Sequence, residues 1–296
     1  MYRSLVISIL LLLAGCSWQP RNAAYQQFYA YYSDRPKGEM CETDYFLVVL
    51  AEARHLDYGD NASMLKTMAK HPSDGSKNGD VGHVWVYVEG WKDGERVFIE
   101  GGQSGDTGCQ RPTYMWGIIE GALRGDPNPA RYLWESFSDG FFQPGSGEHT
   151  PTYAAKIDLT QKQFDRIVAY ICDYDYREYS IRGKQCCSFA AQAASLADWK
   201  IDHRIDVFID EYVVIGGEKV PLRCSDKYAS LTLSSPDVVE KSLVKDVKRG
   251  RAQYALKWYL KQKKRCLRCG IARGTRNLCK FPSRLERYYF FSGVNH

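Results

Sequence analysis

The sequence lacks an apolar run long enough to cross a bilayer. A spanning helix needs about 20 consecutive apolar residues, and about 18 is the practical minimum. The apolar stretch from Leu5 to Leu13 is broken only by Ser8 and is much shorter than that. No later segment reaches the required length either, so we expect no transmembrane helix.

A paired set of metal-binding cysteine motifs is also lacking. Cys266 and Cys269 form one Cys-x-x-Cys, and Cys279 follows it, but there is no second Cys-x-x-Cys to complete a four-thiolate zinc site. We therefore predict no metal and no cofactor.

The N-terminus has the layout of an export signal. Arg3 precedes the apolar run, and Leu13-Ala14-Gly15-Cys16 follows it. These four residues resemble the lipobox of bacterial lipoproteins. The resemblance implies a signal peptide over 1–15, a diacylglyceryl group on Cys16 and a tether over 16–40. An ordinary signal cut near Ala14 is the alternative.

The location follows from the same resemblance. Ser17 and Trp18 do not form an acidic retention signal, so the resemblance favours the outer membrane, with the protein facing the periplasm of a bacterial cell envelope.

An exported chain folds where disulfides form, so its ten cysteines are expected to pair. With Cys16 set aside for lipid, nine remain, and an odd number leaves at least one thiol unpaired or bonded to another molecule. If Cys186 is free, the other eight allow up to four disulfides, namely those among Cys41, Cys109, Cys172, Cys187, Cys224, Cys266, Cys269 and Cys279.

The pattern from 41 to 235 alternates strands and helices. A first strand is expected over 44–53, and a hairpin over 83–100 turns at Asp93-Gly94. Thr160 and Gln163 form a capping box before an apolar helix face, and 208–215 is a further strand. A small-residue helix begins near Cys186.

Cys186 and His83 are the candidate catalytic pair. A helix N-terminus stabilises a thiolate, and an imidazole serves as base and then as acid. Cys186 follows a glycine turn at a helix start, and His83 begins the first strand of the hairpin.

These residues carry a second resemblance. Tyr179, then Gln185-Cys186-Cys187-Ser188-Phe189 at a helix start, is similar to the Tyr…Asn-Cys-x-x-Phe signature of circularly permuted papain-like proteins. That group includes NlpC-like hydrolases and lecithin:retinol acyltransferase relatives. It implies an α+β fold with an antiparallel sheet or half-barrel packed on a Cys-bearing helix, and a catalytic His that precedes the Cys. Gln185 and the extra Cys187 depart from the signature.

Two assignments within this site stay open. The Cys-x-x-Phe spacing selects Cys186 as the nucleophile, with Cys187 as the alternative. The group that orients His83 is predicted to be Gln103 or Glu100, depending on the hairpin register, and His149 is the alternative. We expect the other histidines, including His55 and His203, to be surface residues.

A basic extension completes the chain. From Lys241 to His296 there are 16 Lys and Arg and two acids, a net charge of +14, although the whole chain carries +5. On an exported lipoprotein, the expected partner of the 236–296 extension is an anionic lipid or a cell-wall polymer, and no nucleic acid is expected.

The leading hypothesis is therefore a Cys–His hydrolase that cleaves amide bonds, in cell-wall peptide, through a thioester intermediate. A lipid esterase or acyltransferase of the same fold is the second hypothesis. The third is a non-catalytic, disulfide-rich binding lipoprotein.

Overall fold

The computed structural model describes residues 40–69, 81–105, 113–147 and 149–269. The fold is α+β, as predicted, and is built on an antiparallel six-stranded sheet in the order β10-β5-β1-β2-β3-β4. The strands are β1 (Phe46–Glu52), β2 (His83–Lys92), β3 (Glu95–Gly105), β4 (Gly140–Pro144), β5 (Tyr153–Asp158), β6 (Arg204–Phe208), β7 (Tyr212–Ile215), β8 (Glu218–Pro221), β9 (Ser230–Ser234) and β10 (Gln253–Tyr254). The α-helices are α1 (Asn61–Ala69), α2 (Thr113–Leu123), α3 (Gln161–Asp173), α4 (Cys186–Ser195), α5 (Pro236–Lys248) and α6 (Leu256–Cys269).

The centre of the sheet is covered on both faces. All of β1 and the first eight residues of β2 are buried, which agrees with the largely apolar sequences of these two strands. Helices α3, α4 and α5 pack against the central strands. On α6, Trp258 packs edge-on against Phe46, and Tyr259 packs against Trp85.

Two elements agree with the predictions made from local sequence signals. The β2–β3 hairpin turns at Asp93 and Gly94, both with positive φ, and Lys92 pairs with Glu95. This is the two-residue turn that an Asp-Gly pair favours. Helix α3 begins with the predicted capping box at Thr160, and its buried face is the predicted one.

A small second lobe stands beside the sheet. It contains the two-stranded pairs β6–β9 and β7–β8, around a core that includes Ile209, Val213 and Leu231. The predicted strand over 208–215 is divided here, because β6 ends at Phe208 and Asp210 instead donates its backbone N–H to Asn61, at 2.7 Å.

Residues 236–269, the described part of the predicted extension, pack with the main domain. Helix α5 buries Val239 and Leu243 in the main core, and β10 pairs with β5. Trp258 donates its indole N–H to Glu42 at 2.6 Å, so α6 also fastens the first described residues. The predicted boundary at 235 therefore does not coincide with a break in the core.

Within the described ranges, no helix is both long and apolar enough to span a membrane.

Candidate active site

Helix α4 begins at a fully formed cap. Gln185 is extended (φ −163°, ψ 177°), and its side-chain oxygen accepts the backbone N–H of Cys187 at 3.1 Å. Its amide nitrogen donates to the carbonyl of Ser234 at 2.9 Å, which fixes the side chain. Gln185 therefore acts as the cap of α4 in the position where the resembled signature has Asn, and Cys186 becomes the first residue of the helix.

The Cys186 thiol lies 3.3 Å from the Gln185 side-chain oxygen, to which it can donate as a neutral thiol, and it also meets three groups that favour its anion. The Cys187 thiol is the first, since the two sulfur atoms lie 3.9 Å apart. The His83 ring and the backbone N–H of Val84 are the others. Together with the helix N-terminus, they hold the pKa of Cys186 well below its ordinary value despite burial.

Cys187 has the opposite character. Burial raises the pKa of its thiol well above the ordinary value, and the neighbouring Cys186 and Asp237 add to this effect. Cys187 is fully buried, whereas Cys186 lines a cavity. The geometry therefore favours Cys186 over Cys187 as the nucleophile.

His83 stacks against two aromatic rings. The His149 ring stacks on it with centroids 4.6 Å apart and an interplanar angle of 22°, and the Trp85 ring lies 5.9 Å away at 16°. Nε2 of His83 has no hydrogen-bond partner among the described residues. The ring is thus fixed by packing, which leaves this nitrogen for chemistry.

A carboxylate anchors each of those two rings, and one of the two, Glu52, is buried. His149 donates from Nδ1 to Glu52, which lies opposite His83 in the β1–β2 register. Trp85 donates its indole N–H to Glu100 at 3.3 Å. Glu52 was not anticipated from the sequence. Only the pairing of β1 with β2, across some thirty intervening residues, brings it to the site.

The three residues predicted as orienters of His83 therefore differ in how directly they contact its ring. His149 touches the His83 ring, and Glu100 reaches it only through Trp85. Gln103 is fully buried, but both ends of its amide are engaged elsewhere. It accepts from the Tyr174 hydroxyl at 2.9 Å and donates to the Glu178 carbonyl at 2.7 Å. The register with a two-residue turn accounts for this, since continuing it sets Ser104, not Gln103, opposite His83.

Gly82 lets the chain enter β2 next to Glu52. Its φ is +89°, and a Cβ at this position would lie 2.1 Å from the Glu52 carbonyl oxygen. Any other residue would displace either the start of β2, and with it His83, or the end of β1.

The cavity beside the pair encloses about 160 Å³, and most of its wall is aliphatic. The second lobe contributes Val207, Ile209, Leu231 and Leu233, and Leu56, Met64 and Met68 complete that side. The polar groups gather near Cys186 and include His83, Ser104, His149 and Tyr179. Among the described lining residues there is no Lys, Arg, Asp or Glu, so the cavity suits an uncharged, apolar group.

The sequence predicted a surface position for His55, but the structure places this residue in the interior. It is buried, with a left-handed backbone (φ 54°), and its Nε2 lies 2.9 Å from Glu240. Burial lowers the pKa of His55, but Glu240 and Asp237 outweigh that effect and raise it. His203 is half-buried and bonds to Ser234 at 3.0 Å.

The described cysteines follow the expected disulfide pattern only in part, since Cys172 is disulfide-bonded and several others are free. Cys41, Cys186, Cys187 and Cys224 are free thiols, so three of the eight cysteines that the sequence left available for disulfides are unpaired here. In the described part of the chain, no cluster of three or more His, Cys, Asp or Glu side chains could hold a metal ion. Cys16, Cys109, Cys279 and the chain beyond 269 lie outside the described residues.

Comparison of the chain with protein-family models, with curated proteins and with solved structures found no match in any of the three.

Proposed function

We propose that this protein is a cysteine hydrolase or acyltransferase that works through a thioester on Cys186. The observation that carries the proposal is the Cys186 thiol at the start of α4, which shares the wall of an apolar cavity with His83. The order of the two residues, with His83 on a strand before the Cys-bearing helix, supports the resemblance to permuted papain-like proteins.

The chemistry follows from the two groups. The Cys186 thiolate attacks the substrate carbonyl carbon, and protonated His83 gives its proton to the leaving amine or alcohol as the C–N or C–O bond breaks. Water then attacks the thioester, His83 takes a proton from it, and the acid leaves as Cys186 is released. As the first residue of α4, Cys186 has a backbone N–H outside the helical hydrogen-bond ladder, in a place to stabilise the oxyanion.

The test compares matched variants on acyl esters and on peptide amides. Cys186→Ser should abolish formation of the thioester, which mass spectrometry detects as an acyl adduct, and His83→Asn should slow turnover by about 10²–10⁴-fold. Cys224→Ser is the control, because Cys224 is also a free thiol but is exposed. Turnover that persists undiminished in Cys186→Ser would exclude the mechanism.

The aliphatic wall favours a lipid acyl group over the cell-wall peptide that the sequence first suggested. A cell-wall peptide carries carboxylates, and the described lining offers no Lys or Arg to pair with them. An acyl chain, in contrast, gains about 0.8 kcal/mol for each CH₂ buried.

Leu233→Trp tests the choice of substrate. The indole ring, which is larger than the leucine side chain, should fill cavity space and reduce turnover of long-chain esters about tenfold or more, while turnover of short-chain esters is unchanged. Phe208→Trp is the control, since Phe208 is exposed. Equal losses for both chain lengths, or a preference for peptide fragments, would argue against an acyl-chain substrate.

The location of the protein is part of the proposal. Lipidation of Cys16 would hold the enzyme at a membrane of the cell envelope, more specifically the outer membrane, next to an acyl source. The basic C-terminal region would add contact with anionic lipid or cell-wall polymer, at roughly 1 kcal/mol for each basic residue near the surface. Cys16→Ser should eliminate incorporation of labelled palmitate and release the protein from the membrane fraction.

A further inference from the structure

Two free thiols lie side by side in the first turn of α4. Their sulfur atoms are 3.9 Å apart, which is within hydrogen-bond range for sulfur. Cys186 is 3 % exposed and lines the cavity, whereas Cys187 is fully buried and is absent from the cavity wall. The resembled signature does not require a thiol at the second position, so Cys187 needs its own explanation.

The surroundings of the two thiols differ in charge. Cys186 faces His83 and the Val84 N–H from β2, at the positive end of α4. Cys187 lies near the Asp237 carboxylate, which opens α5 and is itself fully buried. The Tyr58 hydroxyl donates to Asp237 at 3.0 Å and does not neutralise it.

The proton shared by the two thiols therefore belongs on Cys187. An anion at Cys187 would be buried beside another negative group, which is costly. An anion at Cys186 has one oxygen nearby, Gln185 Oε1 at 3.3 Å, but that oxygen already accepts the Cys187 backbone N–H, and the other neighbours of Cys186 are donors and a positive helix end. The Cys187 S–H is then directed at the Cys186 sulfur, because no closer acceptor for it is found among the described residues.

We propose that Cys187 is a positioning residue that donates its S–H to the Cys186 thiolate and so keeps the nucleophile ionised. This inference rests on the proposed function, because it assigns Cys187 a role in tuning that nucleophile. With Cys187 as a donor, the Cys186 thiolate depends less on His83 for its stability. The His83 ring can then exchange protons with the substrate while Cys186 stays ionised.

The experiment measures alkylation of Cys186 against pH in the reduced, full-length mature protein. Iodoacetamide is the probe, and mass spectrometry reads the tryptic peptide 185–200, in which fragment ions separate the two cysteines. Cys187→Ala removes the donor and should slow labelling of Cys186 near pH 6 by about tenfold, the factor for one hydrogen bond to a charged group. Cys187→Ser keeps a donor and should restore the wild-type profile.

Two further comparisons keep the test decisive. Cys187→Val and Cys187→Thr form a second pair of equal size, which replaces the first if the alanine variant does not fold. Cys224→Ala should leave the profile of Cys186 unchanged.

The outcomes separate the two proposals. An unchanged pH profile in Cys187→Ala or Cys187→Val overturns the role of Cys187, and so does equal slowing in the donor and non-donor variants. In either case, fast labelling of wild-type Cys186 would leave the proposed function standing. If wild-type Cys186 is not labelled faster than an ordinary thiol near pH 6, both proposals fail.

Discussion

Truncation of Phe189 is predicted to be the most damaging single change to the candidate site that leaves its polar groups intact. Phe189 is fully buried on α4, and its ring packs against Tyr170, Tyr174 and Tyr176 with centroids 5.4, 5.1 and 5.6 Å away. Phe→Ala in a core costs about 3–5 kcal/mol, because transfer energy is lost and a cavity remains. That is a large fraction of the 5–15 kcal/mol typical of a folded domain.

Urea unfolding followed by circular dichroism measures this loss. Phe189→Ala should lower the midpoint by about 1–2 M, given the usual dependence of unfolding free energy on urea. Phe208→Ala is the matched control, since Phe208 is 62 % exposed, and it should change stability by no more than about 0.5 kcal/mol. If the two variants lose similar stability, or Phe189→Ala loses less than about 1 kcal/mol, then α4 is not held by this aromatic cluster.

Three further results are expected. His55→Gln should destabilise the protein most below about pH 6.5 and less as the pH rises. The reason is that the folded state raises the pKa of His55, and its pairing with Glu240 is lost once the ring deprotonates. Unfolding free energies at pH 6 and pH 8.5 measure the difference, and an equal loss at both pH values would contradict this prediction. Gly82→Ala should cost at least about 2 kcal/mol, but Gly94→Ala less, because both have positive φ and only Gly82 also meets a neighbouring backbone; equal losses in thermal melts would refute the clash. Alkylation of Cys186 should remain fast below the pKa of an ordinary thiol and decline only as the pH falls through its own lowered pKa, whereas a profile that follows a free thiol would contradict the structure.

Short-range signals account for the parts of the fold that the sequence predicted. The Asp93-Gly94 turn, the capping box at Thr160 and the start of α4 each depend on residues within four positions of one another. The α+β class, which the resemblance implied, is confirmed. The pairing of Cys186 with His83 was inferred by resemblance and stays a prediction; in the structure both residues line the same cavity.

Long-range contacts account for what the sequence did not predict. Glu52 reaches the site through strand pairing, and no local pattern marks it. His55 is buried because a left-handed turn after β1 directs it to Glu240 on α5, so its position depends on a residue 185 places away. Gln103 was assigned to the wrong neighbours for the same reason, since Tyr174 and Glu178 come from a distant loop.

The odd number of cysteines is also weaker evidence for a reactive Cys186 than it was from the sequence alone. From the sequence, one free thiol was expected to stand out among paired ones. With Cys41, Cys187 and Cys224 free as well, Cys186 is distinguished by its neighbours and its cavity, not by being unpaired.

The contact between Glu42 and α6 has a geometric consequence for the whole chain. Glu42 accepts from both Trp258 and Gln262, and Cys41 donates its backbone N–H to Gln253 at 3.1 Å. The first described residues are thus fastened to β10 and to the beginning of α6. A force applied through the residues before Cys41 would load α6, β10 and β5 first, because Lys156 on β5 also donates to the Cys41 carbonyl. The edge of the sheet formed by β10 and β5, together with α6, is therefore the part of the fold that such a force would strain first.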